Sequence, residues 1–263
     1  VHFGLGDATV IDELEVTWPG GKVSAFKNLR ADQFYTIAES TAASAVVEVD
    51  QPVQTMFGKS DGMRGARHWE MPFNDFALQP LLPNRLSQSG PGMACGDVDG
   101  DGDEDIYLGG CAGYPGQLLI NDGAGRFEPR PFAAGEPHKA SEDLGALLFD
   151  SDGDGDLDLY VVSGSIEAPP QHQSYGDRLY LNNGKGNFSA AEFGVLPGNA
   201  DSGSVVAAAD YDRDGDLDLF VGSRVIPGQY PVTPRSRLLE NRDGRYSDVT
   251  YNVPALGKSG LVT

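Results

Sequence analysis

The chain has 263 residues, 40% of them hydrophobic, with 35 Gly, 17 Pro and a formal net charge of −20, a globular composition that can hold one large β domain or two smaller domains. It offers no basic patch of the kind a nucleic-acid partner needs and no apolar run of about 18 residues to cross a membrane. Fifteen aspartates crowded into three short loops supply most of the acidity, so the charge belongs to local sites.

The chain opens on Val1-His2-Phe3-Gly4 and not on Met, which fits a processed or excised fragment. In residues 1–40, Leu14, Val16 and Trp18 alternate, Pro19-Gly-Gly-Lys22 turns the chain, and Phe34-Tyr-Thr-Ile37 resumes a strand, so a small β unit is expected. Residues 41–91 read as a linker and an entry segment to a second, larger region. Thr41-Ala-Ala-Ser-Ala45 is linker-like, and Val46 to Phe57 offers a further strand.

From residue 92 on, one pattern recurs three times. The acidic loops are Asp97-Val-Asp99-Gly-Asp101-Gly-Asp103-Glu-Asp105, Asp150-Ser-Asp152-Gly-Asp154-Gly-Asp156-Leu-Asp158 and Asp210-Tyr-Asp212-Arg-Asp214-Gly-Asp216-Leu-Asp218. Counting the first Asp as position 1, carboxylates at 1, 3, 5 and 9 and the position-7 carbonyl can wrap a hard cation that takes about 6–8 oxygen ligands. Gly102, Gly155 and Gly215 at position 6 permit a sharp turn. An EF-hand would place Glu at position 12 between helices; here that position is Leu108, Val161 or Val221, within β-branched and aromatic runs that read as strands. Three Ca²⁺ sites in β-hairpin turns are therefore expected. Calcium is preferred to magnesium, which demands a small octahedron and keeps its waters.

The loops start 53 and 60 residues apart, a spacing in the range of propeller blades. Each unit has a strand into the loop, a strand out, a third strand (Gln117–Ile120, Arg178–Leu181, Arg237–Glu240), a Gly-rich turn and a fourth edge strand. Asn and Gly in those turns, as in Asn121-Asp-Gly123 and Asn182-Asn-Gly184, are expected to supply left-handed conformations. Four antiparallel strands make one blade. Cys95 and Cys111 bracket the first loop, and a hairpin symmetric about Asp101 would set Cys95 against Tyr107; a disulfide and a pair of buried thiols both fit.

These units resemble FG-GAP, or VCBS-type, repeats, the calcium-bearing blades of integrin-like β-propellers. The resemblance implies an all-β propeller, typically of seven blades, of which residues 92–263 hold three. Gly257-Lys-Ser-Gly260 resembles the opening of a fourth. His2-Phe-Gly-Leu-Gly6 and Asp12-x-Leu14-x-Val16-x-Trp18-Pro19-x-Gly21 resemble the second half of the ASPIC/UnbV domain, which stands beside FG-GAP repeats in cartilage acidic protein-like chains and in secreted bacterial proteins. His68-Trp-Glu70, Phe73-Asn-Asp-Phe76 and Gln79-Pro-Leu-Leu-Pro83 resemble the segment leading into the propeller in the bacterial members.

The resemblance also implies that the acidic loops lie on one face and that the opposite loops bind partners. Of those opposite loops, 163–177 carries Glu167, His172 and Tyr175, and 223–236 carries Arg224, Tyr230 and Arg235. Aromatic residues beside Arg suit sugar stacking or protein hot spots, and ordinary loop packing also accounts for them. The four histidines show no HExxH spacing, and no GxSxG elbow or phosphate loop is present. The expectation is a secreted or surface-displayed binding module for a glycan or an extracellular protein. A scaffold within a longer chain of further blades and domains is one rival, and a polysaccharide lyase-like enzyme is another.

Overall fold

The computed structural model describes residues 6, 8–33, 35–39, 60–198 and 201–256. The chain divides into two compact units, Val1–Gly58 and Lys59–Thr263. Among the described residues no helix is long and apolar enough to cross a membrane.

The first unit holds an antiparallel hairpin of β1 (Val10–Thr17) and β2 (Val23–Arg30). Leu14, Val16 and Trp18 share its half-buried face, as their alternation requires. The turn is closed by the Trp18 N–H donating to the Lys22 carbonyl at 2.8 Å, with Gly21 at φ +79°. The returning strand begins at Val23, earlier than the expected Phe34–Ile37. The tight turn delivers Val23 directly opposite Thr17, so Val23–Arg30 takes up the pairing. Tyr35–Ile37 lie outside any strand, and the Tyr35 hydroxyl donates to the Arg30 carbonyl. Phe34 and the expected strand at Val46–Phe57 fall outside the described residues, as does Gly257–Thr263.

The second unit contains three four-stranded antiparallel sheets, each a simple meander. The first is β3 (Met93–Gly96), β4 (Asp105–Leu108), β5 (Gln117–Asn121) and β6 (Phe127–Pro131). The second is β7 (Asp143–Phe149), β8 (Asp158–Ser163), β9 (Arg178–Leu181) and β10 (Ser189–Ala190). The third is β11 (Ser202–Ala209), β12 (Asp218–Val225), β13 (Arg237–Arg242) and β14 (Arg245–Asp248). These are blades of the β-propeller type, and among the described residues they do not close a ring.

The blades pack face on face, and β8 shows why its sequence is a continuous apolar run. Successive strand residues point to opposite faces. Leu159 and Val161 enter a core with Tyr107, Leu118 and Ile120 of the first blade. Tyr160 and Val162 enter a second core with Leu219, Val221 and Leu239 of the third. All four are fully buried, each contributing about 1.5–3 kcal/mol.

Ahead of the blades, residues 73–87 form a tight knot around Asp75. Asn74 caps the four-residue helix α1 (Asp75–Leu78) by accepting from the Ala77 N–H. The Asp75 carboxylate accepts from the Leu86 and Ser87 N–H groups and from the Ser87 hydroxyl. Burial opposes its charge, but these three bonds outweigh burial and hold its pKa below the usual carboxylate value. Leu82 and Leu86 then pack on Ile166 and Val225, which belong to the loop ends of the second and third blades.

Two buried ion-pair clusters join neighbouring blades at the end away from the acidic loops. Asp143 accepts from the Tyr107 hydroxyl of the first blade at 2.7 Å and pairs with Arg178 at 2.6 Å. Asp177 accepts from the Tyr160 hydroxyl and pairs with Arg237 of the third blade. Burial works against the charge on Arg178, yet the adjacent Asp143 carboxylate outweighs it and raises the guanidinium pKa. Replacing Arg237 by Met should therefore destabilise the protein by about 3–5 kcal/mol in a urea titration, because it leaves Asp177 buried without its ion-pair partner. Adding Asp177→Leu to that variant should recover much of the loss.

Candidate metal centres

All three acidic loops are built to one register. Gly96 pairs with Asp105, Phe149 with Asp158 and Ala209 with Asp218, so position 9 faces the residue just before position 1. Eight residues separate the paired ends. The hairpin is therefore centred between two residues, and Cys95 faces Ile106 while Ala94 faces Tyr107. Cys95 is exposed and Cys111 is buried, and both are free thiols.

Position 6 adopts positive φ in every loop, at +94° for Gly102, +93° for Gly155 and +105° for Gly215. Position 4 does so as well. Gly100 and Gly153 meet that requirement at no steric cost, but Arg213 is held at φ +67°, where a side chain is strained.

The carboxylates divide into those that fix the loop and those that remain available. At position 1, Asp97 accepts from the Gly100 and Gly102 N–H groups, and Asp150 accepts from Gly153 and Gly155. Asp210 accepts instead from Arg213 and Asp214. At position 5, Asp101, Asp154 and Asp214 each accept the N–H two residues on.

Position 9 is the most deeply placed, with Asp105, Asp158 and Asp218 no more than 2% exposed. One oxygen accepts the position-2 N–H, from Val98, Ser151 or Tyr211, at 3.0–3.1 Å. The other accepts the N–H of Asn121, Asn182 or Asn241 from the third strand at 2.8 Å.

Three carboxylate clusters result, each with ligand oxygens within 4.8 Å of one another: Asp97, Asp99 and Asp101; Asp150, Asp152 and Asp158; Asp210, Asp212 and Asp218. All-oxygen donor sets of this charge fit a hard cation. The first cluster uses position 5 where the other two use position 9. Burial, followed by neighbouring carboxylates, raises the pKa values of Asp152 and Asp212. The same burial raises Asp105 and Asp158, against their backbone hydrogen bonds. Each loop thus holds negative charge at a cost that a bound cation would offset.

The position-7 side chains point to the adjacent turn. A Cβ on Gly123 would lie 2.3 Å from Asp103 Oδ2, and one on Gly184 would lie 2.4 Å from Asp156 Oδ1. In the third blade Asp216 instead accepts the Asp243 N–H.

The left-handed residues of these turns are glycines and Asp243. Asn121, Asn182 and Asn241 serve otherwise. Each donates its side-chain amide to its own position-8 carbonyl, from Glu104, Leu157 and Leu217. Asn182 also donates to the Val98 carbonyl and Asn241 to the Ser151 carbonyl, in the acidic loop of the preceding blade. Their recurrence at the head of each turn is visible in the sequence, but turn-forming Asn explains it equally well.

The meander sends loops 109–116, 163–177 and 223–236 to the opposite end. His172 is exposed there, with Nδ1 against Ser174, and Arg235 is exposed and paired with Asp248. Tyr175 is 1% exposed, its hydroxyl donating to the Ala168 carbonyl, so its ring is interior packing. Tyr230 packs half-buried beside Leu82 and Ile166, and Arg224 is half-buried. Of these five, His172 and Tyr175 line one small cavity. The exposed aromatic pair on the described surface is Trp69 stacked on Tyr114 at 5.8 Å, with Arg67 over the Trp69 ring.

In a chelating buffer Asp158→Ala should cost about 2–4 kcal/mol, because it strands two buried N–H donors, whereas Asp152→Asn should stay within about 0.5 kcal/mol. Chemical denaturation of both variants checks this separation of roles. Arg213→Gly should stabilise the protein by about 0.5–1 kcal/mol by relieving the left-handed backbone, read as a raised denaturation midpoint.

A family model described as FG-GAP-like repeat matches residues 97–161 and 150–221, and one described as ASPIC and UnbV matches residues 1–44. No curated protein matches the chain at a significant level. Each FG-GAP match runs from the first aspartate of one acidic loop into the second strand of the next blade, and so spans an inter-blade core. Residues 97–221 thus carry FG-GAP-like repeats, and residues 1–44 an ASPIC and UnbV segment.

Proposed function

We propose that the three loops bind Ca²⁺ as structural ions in an extracellular propeller module that recognises a glycan or a protein. The observation that carries the calcium reading is the threefold recurrence of one loop register, with three aspartates converging in each loop. The all-oxygen donors favour calcium, which accepts irregular coordination, over magnesium, which does not. Recognition falls to the opposite loops, which differ in length from blade to blade and expose His172 and Tyr114, the latter stacked on the exposed Trp69 of the entry segment. A module of this kind binds without catalysis and works where calcium is plentiful, in a secreted or surface-displayed parent chain.

At about 10–100 times its dissociation constant, calcium would add about 1.4–2.7 kcal/mol per site. Chelation should therefore lower Tm, and calcium should restore it at concentrations where magnesium does not; an unchanged melt removes the calcium reading. For the ligand, a glycan and matrix-protein array should be probed in calcium and again in chelator. Calcium-dependent binding to one ligand class is the expected result, and a blank array would leave a scaffold within a larger assembly.

A further inference from the structure

At the end of the blades opposite the aspartate loops lies a cavity of about 100 Å³, lined by Glu142, Ser165, Glu167 and His172 among others. Glu142 is 3% exposed. Its Oε1 accepts the Ala112 N–H at 2.7 Å, while its Oε2 is buried with no hydrogen-bond partner. Glu167 Oε2 is buried in the same condition.

Ser165 is an independent sign. It is 1% exposed, its hydroxyl is buried and without a partner, and its backbone is held at φ +77°. A non-glycine residue kept in that region marks strain that the surroundings enforce.

We propose that Glu142, Glu167 and the Ser165 hydroxyl form a further divalent-cation site, separate from the aspartate loops, which fastens the 163–177 loop to the first two blades.

Two buried carboxyls this close call for either a shared proton or a cation between them. Among the described residues neither Glu142 nor Glu167 enters an ion pair, and Glu70, the next carboxylate, is paired with His68. Burial above all, and the neighbouring Glu167 carboxyl, push Glu142 up to about 9 against the Ala112 N–H bond, and burial likewise raises Glu167. The Cys111 thiol, pushed up to about 12 by burial and by these same carboxylates, reports the same local field. The donors are all hard oxygens, which selects the calcium and magnesium class over zinc or copper. His172 Nδ1 is taken up by the Ser174 N–H. At about 30 Å³ per water, the cavity has room for an ion with two or so waters to complete its shell.

The proposal does not rest on the calcium reading of the aspartate loops, and the test keeps the two apart. The metal-free full chain is dialysed against Ca²⁺ and the bound ion is counted, with hydrogen exchange followed in the 163–177 peptide. Glu167→Gln should bind one equivalent fewer than the wild type, and Asp152→Asn combined with it should lose two. Calcium should slow exchange in 163–177 in the wild type and in Asp152→Asn, but not in Glu167→Gln. Ser165→Gly removes the hydroxyl while relieving the positive φ, and should weaken the same protection without loss of folding. Equal stoichiometry in the wild type and Glu167→Gln, or unchanged protection in Ser165→Gly, overturns the proposal and assigns the pair to a shared proton.

Discussion

The aspartate at position 9 of each loop holds together three parts of a blade that are otherwise only neighbours. Its two oxygens accept from the start of the acidic loop and from the end of the third strand, and the residue itself opens the second strand. Removing it would free the loop from the sheet before any question of metal arises. The remaining geometry depends on that anchoring: position 1 turns inward onto the loop's own N–H groups, and position 3 is the least committed, with Asp212 accepting the Asp214 N–H at 3.3 Å.

The two ends of the blades solve the problem of joining sheets in different ways. At the loop end, asparagine amides reach back to the preceding blade. At the far end, buried Tyr–Asp–Arg clusters do so with charge. Between the two ends the apolar cores supply most of the stabilisation without direction, and the polar contacts set which residue meets which. A buried ion pair adds little net stability over a well-packed apolar equivalent, so its value here lies in fixing the alignment of adjacent sheets.

Much of this architecture is legible from residue types. Apolar runs between Asp-rich and Gly-rich turns locate the first three strands of each blade, whereas the fourth edge strands, Phe127–Pro131, Ser189–Ala190 and Arg245–Asp248, carry no apolar run and follow only from the turn before them. Gly at position 6 announces its own backbone angle. Contacts between distant residues are not legible: Arg237 reaches an aspartate 60 residues away, and nothing in local spacing marks that pair. Tyr175 resembles a recognition residue because it stands in a loop, yet the loop folds inward around it. Cys95 sits one residue away from its expected register because an eight-residue loop has no central residue. The Glu142 and Glu167 pair is invisible in the sequence because a single glutamate at each of two separate places carries no pattern.

The asparagine amide of one blade meets the preceding loop at a main-chain carbonyl, at Val98 in one case and Ser151 in the other. The residue that offers the carbonyl can therefore be apolar, hydroxylic or aromatic without disturbing the joint. A blade coupled in this way is interchangeable: each unit brings its own connector and asks of its neighbour only a peptide group that every amino acid possesses. Arrays of such units can lengthen by duplication, and their exposed loops can diverge one by one, with no matching change required next door.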